Sequence, residues 1–135
     1  MGHNKSAILS SDKSAASFLS EVLVRAGYDH PQHSHTLGVA KLSTYEPCLL
    51  VIDFDHIRSD KLESIRQIRF VLPDCAIAVV SSDLKRNWAK QCHMAGANGV
   101  LSSSSTMMTL VSGLRCAAQT GCYTDPAFAS PRGQN

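Results

Sequence analysis

Residues 47–55 read Pro-Cys-Leu-Leu-Val-Ile-Asp-Phe-Asp, an unbroken apolar run that stops on carboxylates at positions 53 and 55. The consecutive apolar residues Cys48 to Ile52 lack the alternation of a half-wet strand and are too few for a buried helix. They read as a strand covered on both faces, the habit of parallel sheets in α/β proteins. In an open parallel sheet, ligands bind beyond the carboxyl ends of the strands, so Asp53 is the residue this strand delivers to that place. Taken alone, Asp53 and Asp55 could equally end a strand or cap the helix that follows.

The rest of the chain alternates around that run. Ser6 to Leu9 predicts a first strand, Ser10-Ser11-Asp12 its polar exit, and Phe18, Leu19, Val22 and Leu23 a helix from about Lys13 to Ala26, stopped at Gly27. A second strand is expected near Tyr28 to Gln32, then a short helix through Leu37, Val39, Ala40 and Leu42. Leu62, Ile65, Ile68 and Leu72 mark a helix from about Lys61 to Leu72, ended by Pro73. Cys75 to Val80 is another all-apolar strand with a polar exit at Ser81-Ser82-Asp83. Trp88, Ala89, Cys92 and Met94 give a helix, Val100-Leu101 a short last strand, and about Thr106 to Gln119 the final helix. Such alternation builds right-handed βαβ units. The expected architecture is a flavodoxin-like (βα)5 doubly wound sheet, five parallel strands in the order 2-1-3-4-5 with helices on both faces.

At 135 residues the chain has the length of one domain, and its 44% hydrophobic and 18% charged content fits a globular protein. A formal charge of +2 argues for neither nucleic acid nor a membrane surface. The five cysteines are scattered, with only Cys116 and Cys122 close in sequence, which reads as reduced thiols in a cytoplasmic protein. No apolar run approaches the roughly 18 residues of a membrane span, and the N-terminus lacks the layout of a secretion signal.

Several stretches resemble a family: Ile8-Leu9 with its polar exit, Leu50-Val51-Ile52-Asp53 with Asp60 further on, Val79-Val80-Ser81-Ser82, and Gly96-Ala97-Asn98-Gly99-Val100-Leu101. Together they are similar to the receiver domain of two-component response regulators over about residues 5–122. The segment from Leu114 to Pro126 resembles the end of receivers in the LuxR/FixJ-type (NarL-like) subfamily, where it leads into a helix-turn-helix DNA-binding domain. The resemblance implies a receiver over 1–122 and the start of a linker over 123–135, with DNA contacted only through a domain beyond this chain.

The family's function is to accept a phosphoryl group from a histidine kinase on the aspartate ending the third strand, here Asp53. A carboxylate attacking an anionic phosphorus needs a bridging divalent cation, and Mg2+ wants oxygen ligands in near-octahedral geometry. The resemblance puts the family's acidic pair at Ser10 and Ser11, with an acid only at Asp12, one place late. The phosphoryl-pairing lysine falls at Ser103, the phosphoryl-contacting hydroxyl is kept as Ser81, and the aromatic switch position is Val100. Asp12, Asp53 and Asp55 are what remains for a weakened Mg2+ site. Losing a fixed cation and metal ligands removes electrostatic stabilisation of the transferring group. The implied function is therefore a degenerate signalling receiver, not an enzyme, that controls a LuxR-type transcriptional regulator through dimerisation, with a histidine kinase or other signalling protein as partner. The alternatives are a working phosphoacceptor at Asp53, a stand-alone interaction adaptor, or a small flavin carrier. The last would want a Gly-rich phosphate loop where Ser10 to Ser14 has no glycine.

Other constellations have plainer explanations. Asp29 with His30, His33 and His35 offers metal-ligand chemistry, but no regular element presents these residues on one face, so a solvated loop is the stronger reading. Ser102 to Ser105 lacks the glycines of a phosphate cradle. Lys85, Arg86 and Lys90 near Trp88 read as a solvated or partner-docking helix face. The apolar stripe Leu110, Val111 and Leu114 of the last helix, with Met107 and Met108, predicts a homodimer through that helix and a neighbouring face of the first helix or of the helix around Trp88.

Overall fold

The run that ends on Asp53 is β3 (Leu49–Asp53), the third of six strands across the sheet, and all five of its residues are buried. The computed structural model describes residues 4–34, 39–57, 60–82 and 88–129. Before β3 come β1 (Ser6–Leu9), α1 (Lys13–Arg25), β2 (Gln32–Ser34) and α2 (Val39–Tyr45). A single 3-10 turn, Phe54–His56, follows it, then α3 (Lys61–Val71), β4 (Ala76–Ser81), α4 (Trp88–Ala95), β5 (Gly99–Ser102) and α5 (Met107–Thr120). The chain ends in β6 (Tyr123–Thr124) and α6 (Pro126–Ala129). All strand pairs are parallel, in the order β2-β1-β3-β4-β5-β6.

The sheet thus has six strands where the sequence predicts five. Tyr123–Thr124, placed above in a linker, pairs with Gly99 and Val100. Phe128 of α6 packs against the core, so residues 123–129 belong to the folded unit. The second strand lies later than expected, at Gln32–Ser34 instead of Tyr28 to Gln32. As an edge strand it buries little, and its apolar signal is correspondingly faint.

Alternation along β3 feeds two cores, because successive side chains point to opposite faces. Leu49 and Val51 join Leu19, Val22 and Leu23 of α1 and Leu110 and Leu114 of α5 on one face. Leu50 and Ile52 join Leu42 of α2, Ile65 and Ile68 of α3 and Cys92 of α4 on the other. Each such fully buried Leu or Ile contributes about 1.5–3 kcal/mol relative to an exposed one. The helices start on side-chain caps: Asp12 accepts from Ala15 N, Asp60 from Glu63 N and Thr106 from Thr109 N. α5 stops at Gly121, whose φ of 82° is the left-handed turn that glycine adopts without strain.

No helix among the described residues is long and apolar enough to cross a membrane.

Candidate functional site

β3 ends on Asp53, and the 3-10 turn that follows brings His56 back over it. His56 Nδ1 lies 2.6 Å from Asp53 Oδ2. A carboxylate oxygen only accepts, so Nδ1 is the donor. Ser10, the residue after β1, donates its hydroxyl to the same Oδ2 at 2.7 Å. Both hydrogen bonds found on the Asp53 carboxylate among the described residues therefore fall on one oxygen. The Asp53 side chain is 8% exposed and that of His56 43%, so the carboxylate is sheltered while its imidazole partner faces the solvent.

The adjoining carboxylate is bound separately. Asp55 Oδ1 accepts from Ser81 Oγ at 2.7 Å, and Oδ2 accepts from Ser82 Oγ at 2.6 Å and Ser82 N at 2.8 Å. Burial alone would raise the Asp55 carboxyl, but the Ser82 and Ser81 hydroxyls, the Ser82 amide and the nearby charge of Lys61 outweigh it and hold the group below the ordinary carboxylate value. Lys61, the first residue of α3, donates to the Phe54 carbonyl, and its ammonium sits 5.2 Å from the centre of the Phe54 ring. Trp88 meets the same ring edge-on, with centroids 5.3 Å apart.

The serines at the expected acidic-pair positions act as donors. Ser10 Oγ bonds Asp53 as above, lies 3.1 Å from the Asp12 carbonyl and accepts from Asp12 N at 3.0 Å. Ser11 donates from Oγ and from N to the His56 carbonyl, at 2.7 and 3.3 Å. The loop after β1 is thereby tied to the turn after β3. Asp12 is the N-cap of α1, with Oδ2 held by Ala15 N at 2.8 Å. Ser103 is exposed, and its N donates to the Ser81 carbonyl at 3.0 Å. Val100 is a fully buried core residue of β5.

The structure thus brings Ser10, Asp53 and His56 together, and Asp55, Ser81 and Ser82 beside them. It does not gather Asp12, Asp53 and Asp55 into a ligand set: among the described residues, no group of three or more His, Cys, Asp or Glu side chains is arranged to hold a metal ion. The same holds for Asp29, His30 and His33. The His33 Nε2 lies 2.9 Å from the Ser10 carbonyl. His35, Leu37, Asp83, Lys85 and Arg86 lie outside the described residues. Sequence reasoning missed His56, Lys61 and Ser82. The signal for His56 was its spacing of three residues from Asp53, which meets on one side of a helical turn, but only if the strand is followed by such a turn.

No family model matches the chain, and no curated protein matches it. Its fold is shared with solved response-regulator structures. A two-component response regulator of the LuxR family from Aurantimonas sp. superposes with a TM-score of 0.78 at 16% identity, over 93% of this chain and 91% of that one. A response regulator from Burkholderia pseudomallei, solved with a phosphorylated aspartic acid and a calcium ion, gives 0.73 at 18% identity, over 87% and 70%. The chemotaxis response regulator CheY4 of Vibrio cholerae gives 0.71 at 17% identity, over 82% and 95%. The architecture is the receiver fold, with a sixth strand at one edge.

Proposed function

We propose that the chain is a signal-transduction receiver with a degenerate phosphoacceptor site, one that passes a signal through protein contacts and dimerisation rather than through rapid phosphorylation of Asp53. The reading rests on one observation: the groups around the carboxylate at the end of β3 are hydroxyl and imidazole donors, where phosphoryl transfer calls for a clustered set of acceptors that hold a divalent cation. Ser10, Ser11 and Ser103 occupy the positions of the acidic pair and the lysine, and each hydrogen-bonds within the protein. In this reading the partner is a histidine kinase or other signalling protein, and the output is control of a LuxR-type transcriptional regulator.

The homodimer is proposed through α5. Leu110 and Leu114 are buried against the sheet, so the surface offered is narrower than the stripe predicted from sequence. It consists of Met108, 81% exposed, with half-buried Met107 and Val111. Light scattering at high concentration should give twice the mass of the chain, and a monomer there removes this part of the proposal.

One observation favours a second reading, a working phosphoacceptor at Asp53. Its Oδ1 takes none of the hydrogen bonds found among the described residues, which leaves an oxygen for attack, and Ser81 stands close by on β4. Acetyl phosphate with Mg2+ followed by intact mass measurement decides between the two. The degenerate receiver gains no phosphoryl mass within minutes. A mass gained in that time and abolished by Asp53→Ala establishes the phosphoacceptor.

A further inference from the structure

The surroundings of Asp53 do more than lack metal ligands. Mg2+ binds where several oxygen acceptors converge with lone pairs to spare, at about 2.0–2.1 Å and in near-octahedral geometry. Here the carboxylates are each already engaged. Asp53 Oδ2 holds Ser10 Oγ and His56 Nδ1, Asp55 holds Ser81 and Ser82 through both oxygens, and Asp12 Oδ2 holds the amide of Ala15. Donors have taken the places of acceptors, and they engage Asp53 Oδ2, Asp12 Oδ2 and both oxygens of Asp55.

We infer that His56 stands in for the divalent cation: its imidazole is the built-in partner of Asp53, and the site is closed to Mg2+ while that contact is made. This deepens the degenerate reading and rests on it. Three features make His56 the positioning residue. It approaches the buried carboxylate more closely than any other described group, at 2.6 Å. Its carbonyl is clamped by both the amide and the hydroxyl of Ser11, so its backbone is held in register with the loop after β1. And its side chain is 43% exposed, so it can swing outward without disturbing either core.

The test reads metal binding with no phosphodonor present, which separates it from the test of phosphorylation. Trp88, the single tryptophan, packs on Phe54 next to Asp53 and reports on the site by fluorescence. Titration of the full chain with MgCl2 to about 10 mM should leave both Trp88 emission and the melting temperature unchanged, because a ligand that binds only the folded state must raise the latter. Ser11→Asp alone should remain unresponsive, since His56 still occupies Oδ2. Ser11→Asp with His56→Ala should bind Mg2+ at least about tenfold more tightly than Ser11→Asp. Ser11→Asp with His56→Gln, which keeps a side-chain donor, should stay with the single variant. A Mg2+ response in the native chain overturns the inference without any variant having to fold. So does equal affinity of Ser11→Asp with and without His56. Rapid phosphorylation in the earlier mass experiment, with the native chain still silent to Mg2+, would instead sink the degenerate reading while leaving the metal-free site in place.

Discussion

The two ends of the sheet handle charge in opposite ways. At the amino-terminal end of the strands, Arg69 of α3 donates to the carbonyls of Leu72, Pro73, Cys75 and Gly96 and to Asn98 Oδ1, with distances of 2.6–3.1 Å. Asn98 passes the contact on, accepting from Ile77 N at 2.8 Å and donating to the Gly121 carbonyl at 3.1 Å. One guanidinium therefore ties α3, the start of β4, the turn before β5 and the end of α5, and none of the partners in that set is a carboxylate. At the carboxyl-terminal end, Asp53 and Asp55 are held mainly by hydroxyls and one imidazole, contacts among the strand ends and the loops that leave them. A charge that joins many elements through main-chain carbonyls is part of the framework. Carboxylates held by movable side-chain donors can be replaced with little effect on the framework, and that is where function is sought.

Arg69→Met offers the largest break in this contrast. The guanidinium donors go and several part-buried carbonyls lose their partner, so unfolding should become easier by about 3 kcal/mol, roughly 10 °C in Tm, read by thermal or urea denaturation. Asp53→Asn should change stability by no more than about 1 kcal/mol in either direction, because functional sites commonly sit away from the stability optimum. A loss at Asp53 comparable to that at Arg69 would erase the distinction between the two ends.

The smallest effect sharpens the contrast at Asp55. Its folded-state pKa is held below the ordinary 3.8, so the stability it contributes is fully present above about that pH. It is lost as the pH falls through the lowered folded value. NMR titration of the Asp55 carboxyl should show its midpoint below 3.8, and Ser81→Ala should move that midpoint upward by removing a hydrogen bond to the charged form. An unmoved midpoint would mean that Ser82 and Lys61 suffice.

What could be read from the chain without coordinates follows from burial. β3 and β4 announce themselves because both faces of each are covered, and their unbroken apolar runs fix where Asp53 and Ser81 emerge. α1, α3 and α5 show through their caps and helical spacing, to within a residue or so at each end. β6 is invisible: Tyr-Thr ahead of a proline looks the same in a linker and in an edge strand, and its pairing depends on where β5 happens to lie. The site splits along the same line. Asp53, Ser10 and Ser81 follow from strand ends. His56 does not, since its meeting with Asp53 depends on a single 3-10 turn that no periodicity marks. Asp12, one place late for a metal ligand, shows what a carboxylate after β1 does when the loop wants a helix cap.

The short strand β6 has a consequence for how the molecule behaves in a crowd. The outer edge of β5 would otherwise present a row of unpaired main-chain groups, a template on which another chain can add itself. Tyr123 N and Asp125 N bond the carbonyls of Asn98 and Val100, both at 2.8 Å, and occupy that row. Pro126, which has no amide hydrogen to offer, follows at once. His93 Nε2 on Thr124 Oγ1 and Ser105 Oγ on Asp125 Oδ2, again both at 2.8 Å, fasten the patch from α4 and from the turn before α5. A dipeptide that sequence reading assigns to a tether thus covers the edge of β5, and its removal is expected to lower colloidal stability at high concentration.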